Sequence, residues 1–179
     1  MPATILIVLA LSACVDRHED PGVRLQDDET DTLHTFTTYR DHEAGFEIEY
    51  PDRLLFPTEP SGEGAQQFVS DEGFLSLSVE SRRRISDADV DLLLEDLRRR
   101  RPTAQLDSVE RRVGHLTAYG REGPSMFVER AIVDPDTIYV LEMEYPAALH
   151  DALDPVRERI IESFRRIRTD SARREESDE

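Results

Sequence analysis

The sequence is short of the residues on which several classes of protein depend. It has one cysteine, which excludes an internal disulfide and a thiolate metal cluster. It has no lysine, so arginine supplies all 22 basic residues, against 39 acidic ones. The net charge of −17 disfavours a general affinity for nucleic acid or for an anionic membrane surface. The 8 glycines are dispersed, and no phosphate-cradling loop is present.

Length and composition predict one small domain with terminal segments. The chain has 179 residues, of which 38% are hydrophobic and 34% are charged, so a modest core with a heavily solvated surface follows. The single globular domain is predicted over residues 38–168. Residues 14–37 are acidic and poor in large apolar side chains, which predicts a disordered tether. Residues 169–179 are predicted to be a disordered charged tail.

The only cysteine directly follows a short apolar run. Residues 2–10 are too few to span a bilayer, which needs about 20 apolar residues. Leu11-Ser12-Ala13 then precede Cys14, and this segment resembles the lipobox of bacterial lipoproteins. The resemblance implies a signal peptide over residues 1–13 and a lipid anchor on Cys14. No basic residue precedes the apolar run, which departs from the signal-peptide pattern. The alternative is a buried cysteine in an ordinary helix.

The lipobox also implies a location in the cell envelope. Val15, rather than aspartate, follows the cysteine, and in this family that implies sorting to the outer membrane, facing the periplasm, in a Gram-negative cell. In other bacteria the anchor would lie on the outer face of the plasma membrane.

The stretch Ile138–Tyr145 predicts the central strand of the domain. Its residues alternate with a period of two, which is typical of a strand with one face in a core and the other partly wet. The turn Asp134–Thr137 joins it to a strand over 125–133, which predicts a hairpin. Further strands are predicted over residues 45–51, 67–70, 74–80, 108–113 and 116–121.

Two helices are predicted to cover this sheet. The first begins at an N-cap on Ser86 and ends before Pro102. Its apolar face is formed by Val90, Leu93, Leu94 and Leu97. The second has Asp154 as its cap and Pro155 at its first position. Its buried stripe is predicted to comprise Val156, Ile160, Phe164 and Ile167. The predicted fold class is α+β, with a central antiparallel sheet flanked by helices.

The order of short motifs resembles that of the PsbP/Mog1-like proteins. These motifs are residues 45–51, the glycine turn before Phe74, Tyr145-Pro146, and Asp154-Pro155 opening a helix that contains residues 162–164. The resemblance covers about residues 39–167 and implies an α/β sandwich. Members include extrinsic photosystem subunits, a small-GTPase-binding protein and bacterial lipoproteins, and they act by binding and assembly more than by catalysis. The family supplies no shared set of functional residues.

Patterns that would indicate catalysis or metal binding are missing from the sequence. The five histidines lack the spacing of a helical zinc site, and no Gly-x-Ser-x-Gly motif is present. Asp87, Asp89 and Asp91 alternate as in a calcium loop, but Leu92 and Arg98 stand where such a loop needs glycine and glutamate. We therefore predict no catalytic residue, no metal ligand and no cofactor.

Clustered arginines are the candidate binding residues. Arginine grips carboxylates and phosphates in bidentate fashion, so these clusters would suit an anion site or a partner patch. The alternative is a solvated face whose arginines pair with nearby glutamate and aspartate. The candidates are Arg82, Arg83, Arg84, Arg111 and Arg112, and Arg98–Arg101 form a further cluster.

These observations leave three hypotheses for function. The first is a lipid-anchored envelope protein that binds a protein partner and is not an enzyme. The second is an envelope hydrolase or metal-dependent enzyme built from residues distant in sequence. The third is a surface lipoprotein without a specific ligand. A deep pocket with convergent histidine, aspartate and serine would favour the second, and an arginine-rimmed surface would favour the first.

Overall fold

The computed structural model describes residues 35–60, 62, 64–84 and 90–167. The predicted signal peptide, Cys14, nearly all of the predicted tether and the predicted tail lie outside these residues. Within them no helix is long and apolar enough to cross a membrane. The strands are β1 (Thr37–Asp41), β2 (Phe46–Tyr50), β3 (Phe56–Pro57), β4 (Ala65–Val69), β5 (Ser76–Arg83), β6 (Gln105–Arg112), β7 (His115–Glu122), β8 (Ser125–Val133), β9 (Thr137–Pro146) and β10 (Arg165–Arg166). The helices are α1 (Val90–Arg100) and α2 (His150–Ser163), and a 3₁₀ turn over Ala147–Leu149 precedes α2.

Seven of the strands form one antiparallel sheet, in the order β3-β4-β5-β9-β8-β7-β6. The predicted central strand is β9, which lies in the middle and pairs with β5 on one side and β8 on the other. The predicted hairpin is confirmed, with Val133 opposite Ile138 across the turn. The α+β fold class with a central antiparallel sheet flanked by helices is therefore confirmed.

The alternation along β9 separates two apolar cores. Tyr139, Leu141, Met143 and Tyr145 face one core, which α2 shares with β2. Ile138 and Val140 face the other core, against α1. Helix α1 supplies Leu93, Leu94 and Leu97 to that core, as its spacing predicts, whereas its predicted N-cap at Ser86 lies outside the described residues. Each helix thus covers the centre of one sheet face.

A second, three-stranded sheet was not predicted. Its order is β1-β2-β10, and both pairings are antiparallel. A strand over residues 45–51 was predicted from the sequence, but its membership of a separate sheet was not. Strand β1 begins at Thr37, the last residue of the predicted tether. The aromatic ring of Tyr39 packs edge-on against Phe68 of β4, with centroids 5.3 Å apart, which helps to hold the small sheet against the large one.

The C-terminal helix differs from its predicted limits. Helix α2 begins at His150, so Pro155 lies inside it rather than at its first position. Leu149 and Leu153 are buried, and their burial favours helix upstream of the proline. The helix ends at Ser163 because Phe164 is extended, and β10 then pairs with β2. Phe164 is buried as predicted, but Ile167 is only half-buried and lies beyond the helix.

Two further limits differ from prediction. Strand β6 covers Gln105–Arg112 instead of the predicted residues 108–113, and Val113 is fully exposed in the turn after it. Strands β4 and β5 are antiparallel neighbours, and the turn between them contains Gly73 at φ +70°, a conformation that favours glycine.

The small sheet is held by a buried carboxylate. Glu47 on β2 is only 4% exposed and forms ion pairs with Arg40 on β1 and Arg165 on β10. The hydrogen bond from Arg40 lowers the pKa of Glu47, burial opposes that shift, and Arg165 adds to the lowering. One side chain thereby joins all three strands.

We expect Glu47→Gln to lower the free energy of unfolding by about 1–2 kcal/mol at neutral pH, because it removes both charge-assisted hydrogen bonds. The folded-state pKa of Glu47 is depressed, so its contribution exists above the ordinary pKa of 4.5 and is lost as pH falls through the folded value. Denaturant unfolding at several pH values would measure this difference. Glu49→Gln, which removes the exposed pair with Arg159, is the control and should cost less than 0.5 kcal/mol. An equal loss for both variants would contradict the assignment.

Candidate functional site

Helix α2 does not cover the outer strands of the large sheet, and a cleft of about 500 Å³ lies between them. We call it the outer-strand cleft. Its floor is formed by β6, β7 and β8, and α2 forms one wall. It is lined by Glu110, Arg112, His115, Thr117, Tyr119, Arg130, Glu158, Ile161 and Glu162.

Strand register brings the floor residues together. Glu110, Thr117 and Arg130 are direct partners in one row across β6, β7 and β8. Arg112 and His115 are partners in the next row. Neighbouring strands lie about 4.8 Å apart, and Thr117 lies on the strand between Glu110 and Arg130. The Cα atoms of the glutamate and the arginine are therefore roughly 10 Å apart across the sheet. The two opposite charges are thus placed in one cleft without a direct contact.

Arg130 is the central cation of the cleft. It lies between Val128 and Ile132 on the face of β8 that turns towards α2, and it is half-buried. Its Nε atom is buried and has no hydrogen-bond partner, and no hydrogen bond or ion pair joins Arg130 to another residue that the structure describes. Burial lowers the pKa of Arg130. A guanidinium in this position costs stability unless an anion reaches it.

The rim of the cleft also carries unpaired charge. Arg112, Glu110, Glu158 and Glu162 are exposed, and within the described ranges none of them takes part in an ion pair. Glu158 and Glu162 are one turn apart on α2, where like charges repel each other. The cleft therefore concentrates groups of both signs that remain available to a ligand.

His115 stands at the open end of the same surface. Burial lowers the pKa of His115, the positive charges of Arg130 and Arg112 lower it further, and Asp134 acts in the opposite direction. The imidazole is therefore neutral at neutral pH and offers a hydrogen-bonding nitrogen rather than a charge.

A second polar cluster adjoins the cleft at Tyr119. The Tyr145 hydroxyl lies 3.2 Å from Nδ1 of His150 and accepts a hydrogen bond of 3.4 Å from Arg157. Arg157 also pairs with Asp154 and lies over the ring of Tyr119, 5.3 Å from its centroid. The Nε of Arg157 is buried without a partner, like that of Arg130, but the terminal nitrogens of Arg157 contact Tyr145 and Asp154.

The opposite face of the sheet carries a network of ion pairs in which arginines at the end of α1 pair with glutamates of the strands. Arg101, at the end of α1, pairs with Glu122 at 2.7 Å, with Glu144 at 2.9 Å and with Glu142. Its guanidinium also lies over the ring of Phe127, 4.5 Å from the centroid. The network ties the helix terminus to β7 and β9 and is structural.

Arg100 extends that network to a buried carboxylate. It pairs at 2.6 Å with Glu129, which is 2% exposed, and with Asp96 at 3.2 Å. Burial raises the pKa of Glu129, and Arg100 opposes the shift. The Arg98–Arg101 cluster thus supplies two arginines to packing between helix and sheet.

The structure does not bring the five candidate arginines into one patch. Arg82 lies 3.7 Å from Asp96 and Arg111 lies 3.4 Å from Asp91, so these two flank α1 on opposite sides. Arg83 is exposed near the end of β5, and Arg84 donates to the Asp134 carbonyl at 3.3 Å. Only Arg112 faces the outer-strand cleft.

Arg130 was missed by the sequence analysis although a signal was present. In the strand over 125–133, Met126, Val128 and Ile132 alternate on one face, and the same alternation places Arg130 on that face. A single arginine in an apolar row requires a partner or a ligand. The contribution of Glu158 and Glu162 could not be found in the same way, because they are ordinary solvent-facing positions of an amphipathic helix.

Among the described residues no group of three or more histidine, cysteine, aspartate or glutamate side chains is arranged to hold a metal ion.

No protein-family model and no curated protein matches the chain. Among solved structures, the solution structure of cyanobacterial PsbP (CyanoP) from Synechocystis sp. PCC 6803 is similar, with a TM-score of 0.59. The two are 15% identical, and the match covers 74% of this chain and 92% of that one. The fold is PsbP-like. At this identity the PsbP-like similarity concerns the fold alone.

A crystal structure from Bacteroides thetaiotaomicron is also similar, with a TM-score of 0.49 and 14% identity. That match covers 73% of this chain and 48% of the other, so this chain spans about half the length of that protein.

We expect Arg101→Met to lower the free energy of unfolding by about 2–4 kcal/mol, because it leaves three carboxylates without their shared cation. Arg99→Met is the matched control, since Arg99 is 78% exposed, and it should change stability by less than 0.5 kcal/mol. Thermal and denaturant unfolding would measure both variants. Similar losses for the two would show that the network adds little to stability.

We expect Arg130→Met to raise the free energy of unfolding by about 1 kcal/mol, because methionine removes a buried donor that has no partner and keeps the apolar stem. Arg98→Met, on the exposed face of α1, should stay within about 0.5 kcal/mol of the parent. Chemical denaturation without added ligand is the measurement. A clear loss of stability in Arg130→Met would mean that this arginine serves packing rather than binding.

Proposed function

We propose that the chain is a lipid-anchored envelope protein that acts as a non-catalytic binding module, with the outer-strand cleft as its binding site. The observation that carries the proposal is Arg130, a half-buried cation whose Nε has no partner, in a cleft rimmed by unpaired charges. A residue that lowers the stability of the folded chain is expected at a functional site.

The chemistry of the cleft supports binding over catalysis. Its described lining offers guanidinium groups, carboxylates, one neutral imidazole and two hydroxyl groups. Arginine-rimmed surfaces favour recognition, whereas a hydrolase site would combine a nucleophile with a base that is itself oriented by a third group. The Thr117 hydroxyl lies between Glu110 and Arg130 on the sheet and serves as a hydrogen-bonding group in this proposal.

The proposed location rests on the lipobox that ends in Cys14. Lipidation at this residue would confine the domain to a membrane surface and raise its effective concentration near a membrane-bound partner. The partner is proposed to be an envelope protein or a small ligand presented there.

The proposal is tested by fractionating cells that express the parent chain, Cys14→Ala, Arg130→Gln or Arg98→Gln, followed by pull-down from the detergent-solubilised envelope. We expect the parent, Arg130→Gln and Arg98→Gln in the membrane fraction and Cys14→Ala outside it. We expect the parent and Arg98→Gln to enrich the same partner, and Arg130→Gln to reduce its recovery at least tenfold. A tenfold loss corresponds to about 1.4 kcal/mol, which is within the range for a hydrogen-bonded charge.

Two results would contradict the proposal separately. If Cys14→Ala partitions like the parent, the lipid anchor is wrong. If Arg130→Gln recovers the partner as well as the parent does, the cleft is not the binding site.

A further inference from the structure

The two sides of the outer-strand cleft carry opposite excess charge. On the strand side, burial lowers the pKa of Arg130, and the positive charge of Arg112 lowers it further. On the helix side, Glu158 and Glu162 repel each other one turn apart. Glu162 favours the charged form of Arg130 from across the cleft, but among the described residues no ion pair joins any of these four side chains to another.

Glu110 modifies this balance without removing it. It lies on the floor beside Thr117 and favours the charged form of Arg130, but no ion pair joins Glu110 and Arg130. With His115 neutral, the cleft as a whole holds one more carboxylate than guanidinium groups.

This charge pattern argues against a simple ion as the ligand. A polyanion would meet the guanidinium groups but also three carboxylates, and the chain carries a net charge of −17. A simple cation would satisfy Glu158 and Glu162 and leave Arg130 without a partner. A ligand that carries both signs would relieve the repulsion on each side.

We propose that the outer-strand cleft binds a small zwitterion whose carboxylate is held by Arg130 and Arg112 and whose ammonium group lies between Glu158 and Glu162. The planar guanidinium of Arg130 can pair with a carboxylate in bidentate geometry through its two terminal nitrogens, whereas its buried Nε–H stays without a partner. The Thr117 hydroxyl is adjacent to Arg130 on the next strand and donates to the same carboxylate.

The size of the cleft fits such a ligand. A volume of about 500 Å³ lies within the range of small-molecule sites, ~300–1,000 Å³. Ile161 lies in the α2 wall between Glu158 and Glu162 in sequence and offers an apolar surface to the methylene chain that separates the two charges. The shared chemistry is a carboxylate and an ammonium joined by a short aliphatic spacer, whether free in solution or at the end of a peptide.

This inference rests on the proposed function, since it assigns a ligand class to the same cleft. It is tested by NMR titration of the ¹⁵N-labelled full chain in non-ionic detergent with β-alanine, 4-aminobutyrate and 6-aminohexanoate. Butyrate, butylamine and inorganic phosphate are the control probes, each of which carries charge of one sign only. A dipeptide distinguishes a peptide terminus from a free amino acid. The signals followed are the backbone amides of Thr117 and Arg130 and the Nε–H of Arg130.

We expect at least one ω-amino acid to give saturable shifts at these signals, with an affinity at least tenfold above butyrate, butylamine and phosphate. Arg130→Gln and Glu158→Gln should each weaken that binding at least tenfold. Arg98→Gln and Glu95→Gln, which make the same changes on exposed positions of α1, should leave it unchanged. Stronger binding of the dipeptide than of the ω-amino acids would support the inference and identify the peptide source.

The inference is overturned if no zwitterion in the series gives saturable shifts, or if butyrate or phosphate binds as tightly as the best zwitterion. Equal weakening by Arg130→Gln and Arg98→Gln would also overturn it, because the effect would then be one of overall charge. If these titrations fail while partner recovery from the envelope still depends on Arg130, the ligand class is wrong and the proposed function stands. If partner recovery is also independent of Arg130, both are wrong.

Discussion

The large sheet has apolar side chains on both faces at its centre, and in the described part of the chain one helix packs on each face. The rest of the structure depends on the difference between the width of the sheet and the width of its helical cover. Residues of β9 enter both cores, so neither face can remain in water. Helix α1 covers one face, and α2 with the three-stranded sheet covers the other. Seven strands are wider than these covers, and β6 with the outer half of β7 is left exposed beside α2.

The contacts that each helix terminus makes with the strands determine which charged side chains remain unpaired. On the α1 face, Arg100 and Arg101 extend over the sheet and form ion pairs with carboxylates. These charges are therefore paired within the folded protein. On the α2 face, the described arginines after the helix, Arg165 and Arg166, pair with Glu47 and Asp134 and not with the outer strands. The charged side chains of β6 and β8 therefore remain open, and they form the outer-strand cleft. The same helix–sheet geometry thus yields a structural network on one side and a candidate binding site on the other.

Much of the fold follows from the sequence, because alternation with a period of two and helical spacing are local signals. They predict β8, β9, their hairpin and the buried face of α1. The three-stranded sheet depends on β10, two residues whose strand character arises only from pairing with β2, and local signals contain no trace of it. Helix α2 starts upstream of Pro155 because Leu149 and Leu153 are buried there. In the sequence, Pro155 is the stronger local signal, and it predicts a later start. The cleft requires Glu110, Arg130 and Glu158 to meet from three elements, and only Arg130 leaves a local sign.

The two neighbours of β2 come from opposite ends of the domain. Strand β1 starts at Thr37 and β10 ends at Arg166, so the small sheet is closed by the first and the last strands of the described chain. During synthesis β2 has one free edge until Arg165 and Arg166 emerge, and Glu47 lacks the ion pair with Arg165 over the same interval. Contacts of such long sequence separation form late, because their loop must close before they are made. The backbone groups along this edge of β2 therefore stay without strand partners until β10 has been synthesised.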